Sequence, residues 1–198
     1  MFLEFLQETD QQIFLVINGQ HKTVIDWIMV FASGKLTWLP LYLILIYLII
    51  RKYQWKTWIV LVFVFLLILL SDQLSVHAFK NVFQRLRPCH NEEIAMQIHL
   101  VTGCGGLYGF VSSHAANSFA LVFFIIGILK NHRNWLPWVM FSYASLVIYS
   151  RVYLGVHYPG DVLVGALLGF FVAKVVLFLF YSTDKKYHFL EKEERIKN

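Results

Sequence analysis

The chain has 198 residues, of which 58% are hydrophobic and 15% charged, with a formal net charge of +5. A soluble domain carries about 25% charged residues, so this composition excludes an ordinary soluble protein and leaves a polytopic membrane protein. Much of the positive charge lies in short segments between apolar runs, where it reports orientation. Nothing resembles a nucleic-acid groove or basic arm, so no nucleic-acid partner is expected.

In chain order, MFLEFLQETDQQIFLVING opens with acids and lacks the basic start of a cleavable signal peptide. It predicts an amphipathic helix lying at the membrane interface, within an N-terminal region 1–33. A spanning helix needs about 20 mostly apolar residues. The candidates are Leu36 to Ile50, Thr57 to Phe79, Phe110 to Leu129, Trp135 to Tyr149 and Val162 to Tyr181. The first is short and extends backwards through TVIDWIMVFASG if Gly34 and Lys35 do not break it, so the count is five or six. The fold class is therefore all-α, a single membrane helix bundle over 1–198. RKYQWK (Arg51 to Lys56), KNHRNW (Lys130 to Trp135) and the tail 182–198 are basic and fall on one side, which the positive-inside rule makes cytoplasmic. Lys80 to Gly109 and the stretch around Arg151 and His157 fall on the other.

That outer side carries cations against the usual bias, in three pieces. In KNVFQRLRP, Lys80 and Arg87 are seven apart and are expected on one helix face, with Pro88 ending the helix. In FVSSHAANSF, Ser112, Ser113 and His114 open a span, where free N–H groups and the dipole suit an anion. SRVYLGVHYPGD places Arg151, His157 and Asp161 at the last junction. Arg forks and a Lys charge match phosphate oxygens. Two histidines can divide nucleophile and acid roles, and an Asp can fix a His tautomer. The inventory suits phosphoryl transfer. Metal binding fits poorly, because cations outnumber the His and carboxylate groups and no H-E-x-x-H occurs. No G-x-S-x-G marks a serine hydrolase.

These pieces resemble the three motifs of the type 2 phosphatidic acid phosphatase superfamily. K-x6-R-P is matched by Lys80, Arg87 and Pro88. P-S-G-H is matched by Ser112 and His114 alone, with Val111 for the usual Pro and Ser113 for the usual Gly. S-R-x5-H-x3-D is matched in full by Ser150, Arg151, His157 and Asp161. The resemblance covers 80–161 in its motifs and implies a metal-independent lipid phosphatase with no organic cofactor. His157 would attack phosphorus, Asp161 would orient His157, and His114 would protonate the leaving oxygen. Lys80, Arg87, Ser112, Arg151 and the Ser113 N–H would hold phosphate. The substrate expected by analogy is undecaprenyl pyrophosphate; phosphatidylglycerol phosphate, phosphatidic acid and lipid A phosphate are the alternatives. A bacterial cytoplasmic membrane, with the site facing the periplasm or exterior, is the expected location. Related soluble haloperoxidases do not fit a chain this apolar. A non-catalytic lipid-binding protein would not need His157.

Two cysteines, Cys89 and Cys104, frame the polar outer segment; a disulfide is open to them in an oxidising compartment, and free thiols are the other reading. Arg85, beside the first motif, is a candidate contact for a lipid head group. Asp161 is also a natural N-cap for the last span.

Overall fold

A computed structural model of the chain describes residues 2–129 and 133–187. Part of the basic charge read for orientation, at Lys130 to His132 and beyond 187, lies outside the described residues. The described residues form helices α1 (Phe2–Gly19), α2 (Thr23–Ser33), α3 (Leu39–Tyr53), α4 (Thr57–Gln73), the short α5 (Asn81–Phe83), α6 (Ser113–Ile128), α7 (Leu136–Tyr153) and α8 (Pro159–Tyr187). No strand occurs among them. The stretches Leu36–Phe83 and Pro159–Tyr187 are long and apolar enough to cross a membrane, whereas α2 and α6 are apolar but shorter.

The order of apolar runs dictates an up-and-down path. The chain reverses at Gln54, a non-glycine residue at φ 49°, so α3 and α4 are antiparallel. The Tyr53 hydroxyl and the Lys52 ammonium both donate to the Ile128 carbonyl at 2.7 Å, which satisfies the C-terminal end of α6. The loop Arg51 to Lys56 therefore sits at the opposite end of the bundle from Ser112. Phe124, Met140, Val176 and Phe180 fill the core between these helices, while Phe65, Trp58, Phe171 and Phe178 face outward, as lipid-facing side chains do.

The closest seam joins α6 to α8. Gly165 and Gly169 on α8, spaced as small-x-x-x-small, face Ala115, Ala116 and Ala120 on α6. A Cβ at Gly165 would lie 2.7 Å from the Ser112 carbonyl oxygen, and one at Gly169 would lie 2.8 Å from Ala120 N. Membrane helices approach this closely where small residues line the contact. The seam brings the N-terminal ends of α6 and α8 side by side, and the Ser112 N–H donates to the Asp161 carbonyl at 3.0 Å.

The N-terminal region folds as two helices, α1 and α2. On α1, Phe5 and Val16 are exposed, while Phe14 and Asn18 are fully buried beneath it. Asn18 donates to the Tyr153 and His99 carbonyls at 2.7 and 2.9 Å. The helix is amphipathic as expected, and its inner face is docked on the bundle.

The first motif differs from its expected form. After α4 the chain runs through a π-helical turn, Leu74–Lys80, and α5 ends where Gln84 turns left-handed at φ 47°. Lys80 and Arg87 therefore do not share a helix face. Instead the segment 85–87 pairs with 107–109: Arg87 N–H donates to Leu107 O at 3.1 Å and Gly109 N–H to Arg85 O at 2.8 Å. Arg87 reaches the site through this small ladder.

Candidate active site

Apart from Arg87, the site residues sit where a helix begins or ends. Lys80 closes the turn after α4, Ser112 caps α6, Arg151 lies in the last turn of α7, and His157 and Asp161 flank the start of α8. The Ser112 Oγ accepts from Ala115 N–H at 3.5 Å, a capping bond that satisfies one first-turn N–H of α6. Ser113 departs from the resembled motif, and its hydroxyl has acquired partners: it accepts from Lys80 Nζ at 2.7 Å and shares a hydrogen bond with Ser75 Oγ at 2.6 Å. Val111, the other departure, is fully buried.

His157 and Asp161 are 1% and 0% exposed. His157 Nδ1 lies 3.3 Å from Asp161 Oδ2, which also accepts the Tyr158 N–H at 3.0 Å. The pair spans the Pro159–Gly160 turn, as the sequence implies. Gly109 is required beneath it, since a Cβ there would lie 2.9 Å from Asp161 Oδ2. Burial pushes the His157 imidazole down to about 4, with Arg87 and Arg151 adding to the effect against the pull of Asp161. The ring is thus neutral at physiological pH, with Nδ1 committed to the carboxylate.

Arg87 is fixed by donating from Nε to Tyr108 O at 3.3 Å and from Nη1 to Cys104 O at 2.9 Å. Cys104 is joined to Cys89 by a disulfide, so the staple holds the loop that holds Arg87. Cys89, His90 and Cys104 cluster closely enough to suggest a metal, but with both sulfurs bonded to each other the set has one ligand left. Arg151 Nη1 donates to Ser33 Oγ, whereas its Nε is buried without a partner. Lys80, Arg87, Arg151 and Asp161 lie within electrostatic reach of one another, as do His114 and His157. The structure brings all eight of the sequence-predicted residues to one place.

His114 also lines a cavity of about 550 Å³ that runs down between α2, α3, α4, α6 and α7, past Ser33, Lys35, Asn117 and Tyr143.

Arg85, the candidate head-group contact, has partners within the protein. Its Nη1 donates to Asp161 Oδ1 at 2.9 Å, its Nη2 to Asp10 Oδ2 at 2.7 Å, and its guanidinium stacks 4.1 Å from the Tyr158 ring centre. Two carboxylates hold it, with about a quarter of its side chain left exposed. Asp10, Ser33, Ser75 and Tyr158 were not singled out by sequence. Asp10 lies outside every motif, and Arg85 stood in plain view two residues before Arg87.

Partly buried cations gathered around a neutral histidine, with one guanidinium nitrogen unpartnered, suit an oxyanion. Fold and site together define a membrane-embedded phosphoryl-transfer enzyme. The chain belongs to the PAP2 superfamily, whose sequence profile matches residues 60–185. It is 37% identical over 172 residues to a lipid A 4'-phosphatase of Bacteroides thetaiotaomicron, covering 85% of this chain and 76% of that protein. It is 30% identical over 166 residues to an undecaprenyl-diphosphatase of Sulfolobus acidocaldarius, covering 82% and 74%. The crystal structure of Aquifex aeolicus LpxE superposes with a TM-score of 0.64 at 27% identity, covering 84% of this chain and 93% of that one. The protein is accordingly a membrane lipid phosphatase, acting on a lipid phosphate.

Proposed function

We propose that this enzyme removes a phosphate monoester from a lipid A-type glycolipid through a phosphohistidine at His157. The observation that carries the mechanism is the buried His157–Asp161 pair facing three cations, one with an unpartnered Nε. Asp161 holds Nδ1 and stabilises the imidazolium that forms. Nε2 attacks phosphorus, and the bond from phosphorus to the lipid oxygen breaks. His114 gives that oxygen its proton, and the dephosphorylated lipid leaves. Water then attacks the phosphohistidine, His114 takes the water's proton, the P–N bond breaks and inorganic phosphate departs. Lys80, Arg87, Arg151, Ser112 and the Ser113 N–H neutralise the equatorial oxygens, where such catalysis chiefly lies. No metal or cofactor enters this scheme.

The 37% identity to a lipid A 4'-phosphatase favours lipid A phosphate over undecaprenyl pyrophosphate. The 30% relative keeps undecaprenyl pyrophosphate as the second reading. The reaction would take place at the outer face of a bacterial cytoplasmic membrane; a disulfide beside the site, rare in reducing compartments, and the basic Arg51 to Lys56 loop at the far end support that orientation. The test is phosphate release by purified protein from lipid A, undecaprenyl pyrophosphate, phosphatidylglycerol phosphate and phosphatidic acid. Lipid A is expected to be cleaved fastest, and His157→Ala to be on the order of 10³-fold slower or worse, as for loss of a nucleophile that acts with its partners as a unit. Wild-type rates in His157→Ala would overturn the mechanism.

A further inference from the structure

The catalytic turn has a support that none of the three motifs contains. Asp10, on the inner face of α1, makes two bonds to it. Its Oδ1 accepts the Gly160 N–H at 2.7 Å, and its Oδ2 accepts Arg85 Nη2 at 2.7 Å. Gly160 lies in the first turn of α8, where backbone N–H groups lack intrahelical partners. Asp161 was the expected cap for this helix, but its carboxylate is spent on His157, the Tyr158 N–H and Arg85. Asp10 supplies a cap from another helix, with a negative charge at the positive end of α8. Gly160 leaves room for it, since a Cβ there would lie 2.8 Å from Asp10 Oδ2.

The same carboxylate fixes Arg85, whose other arm grips Asp161 Oδ1 while its plane covers Tyr158. Asp161 is therefore clamped from both oxygens: Oδ1 by Arg85, Oδ2 by Tyr158 N–H, with His157 Nδ1 sharing Oδ2. Without Asp10, Arg85 keeps one anchor of two and the turn loses its outer strut. We infer that Asp10 is a positioning residue for the phosphatase reaction: through Arg85 and Gly160 it holds the Asp161 carboxylate and hence the His157 ring at their working geometry.

This rests on the reading of His157 as nucleophile, so the experiment carries His157→Ala as a separate arm. Full-length Asp10→Asn, Asp10→Ala, Asp10→Glu and Arg85→Gln are purified in detergent beside wild type. The folded fraction is set by thermal melt, and phosphate release is measured from p-nitrophenyl phosphate and from lipid A in micelles. Asp10→Asn keeps an acceptor for Gly160 and loses the charged bond to Arg85; Asp10→Ala loses both. The expected kcat per folded enzyme falls on the order of 10-fold for Asn and further for Ala, the scale of a sub-ångström misplacement. KM stays within about twofold, because Asp10 does not touch phosphate, and Asp10→Glu recovers part of the loss by restoring the charge. Glu8→Gln, on the exposed side of α1, leaves kcat at the wild-type value. A purely structural role would lower the melting point and yield without lowering kcat per folded molecule, and that result would overturn the inference. Wild-type kcat in both Asp10→Asn and Arg85→Gln, with His157→Ala inactive, would overturn it while leaving the mechanism standing. Activity in His157→Ala would remove its foundation. If Asp10→Ala does not fold, the isosteric Asp10→Asn decides.

Discussion

Gly165→Ala tests whether the α6–α8 seam sets the catalytic geometry. The new methyl would lie 2.7 Å from the Ser112 carbonyl oxygen and 3.0 Å from the Ala115 Cβ, where ordinary contact begins at 3.4 Å. Both neighbours are fixed: one is backbone, the other a buried alanine. The helices must part by at least about 0.7 Å, and Ser112 is both the cap of α6 and the donor to the Asp161 carbonyl. Overpacking of this kind costs about 1–3 kcal/mol, and each kcal/mol lowers the melting point of a chain this size by roughly 2–4 °C. Misplacement approaching 1 Å costs about 10²-fold in rate, so kcat is expected to fall between 10- and 100-fold. The assay is thermal unfolding in detergent with phosphate release from the same preparation. Gly103→Ala, where an added Cβ meets nothing within 4 Å, serves as the control. Unchanged melting and unchanged kcat in Gly165→Ala would refute the reasoning that the seam holds the two helix starts in register.

Three further outcomes are expected. His157 is held neutral well below the usual imidazole value, so its ring signals in labelled protein should titrate near pH 4 rather than near 6.5; because the unfolded chain takes that proton first, the contribution of this group to stability is complete above about pH 6.5 and is lost as pH falls towards 4. A titration near 6.5 would sink the buried geometry. Replacing Cys89 and Cys104 together by Ser should destabilise the protein by up to about 3 kcal/mol, the scale for a loop of about 15 residues, and raise KM several-fold through the loosened Arg87; equal KM would separate the staple from the site. A cysteine placed at Gln54 should resist a membrane-impermeant thiol reagent in intact cells, and ready labelling would invert the orientation.

The third motif could be read almost completely from sequence, because its chemistry is local: His157 and Asp161 are four residues apart and Pro159–Gly160 forces the turn between them. The first motif misled on geometry, because periodicity predicts a helix through Arg87 and only the left-handed Gln84 shows where it stops. Gly165 and Gly169 were not singled out in sequence, and their spacing alone says nothing about which helix they meet. The partners of Arg85 and Asp10 were beyond reach for a plain reason. They lie 76 and 150 residues away, and nothing in either local sequence distinguishes an internal clamp from an ordinary charged position. Ser113 reads in sequence as a departure from a motif; in the structure its hydroxyl is the group that seats Lys80.

The bond between Asp10 and Gly160 also fixes an order of events during synthesis. Its two ends are among the first and the last parts of the described chain to leave the ribosome, and domains form from the N-terminus onward. Helix α1 already has Arg85 for one oxygen of its acid, and gains the Gly160 N–H for the other only when α8 has been made. A chain halted before that helix holds Asp10, Lys80, Arg87 and His114 but lacks the turn that carries Asp161. Phosphatase activity is thereby the final feature to mature, and only a fully inserted bundle can act on the lipids around it.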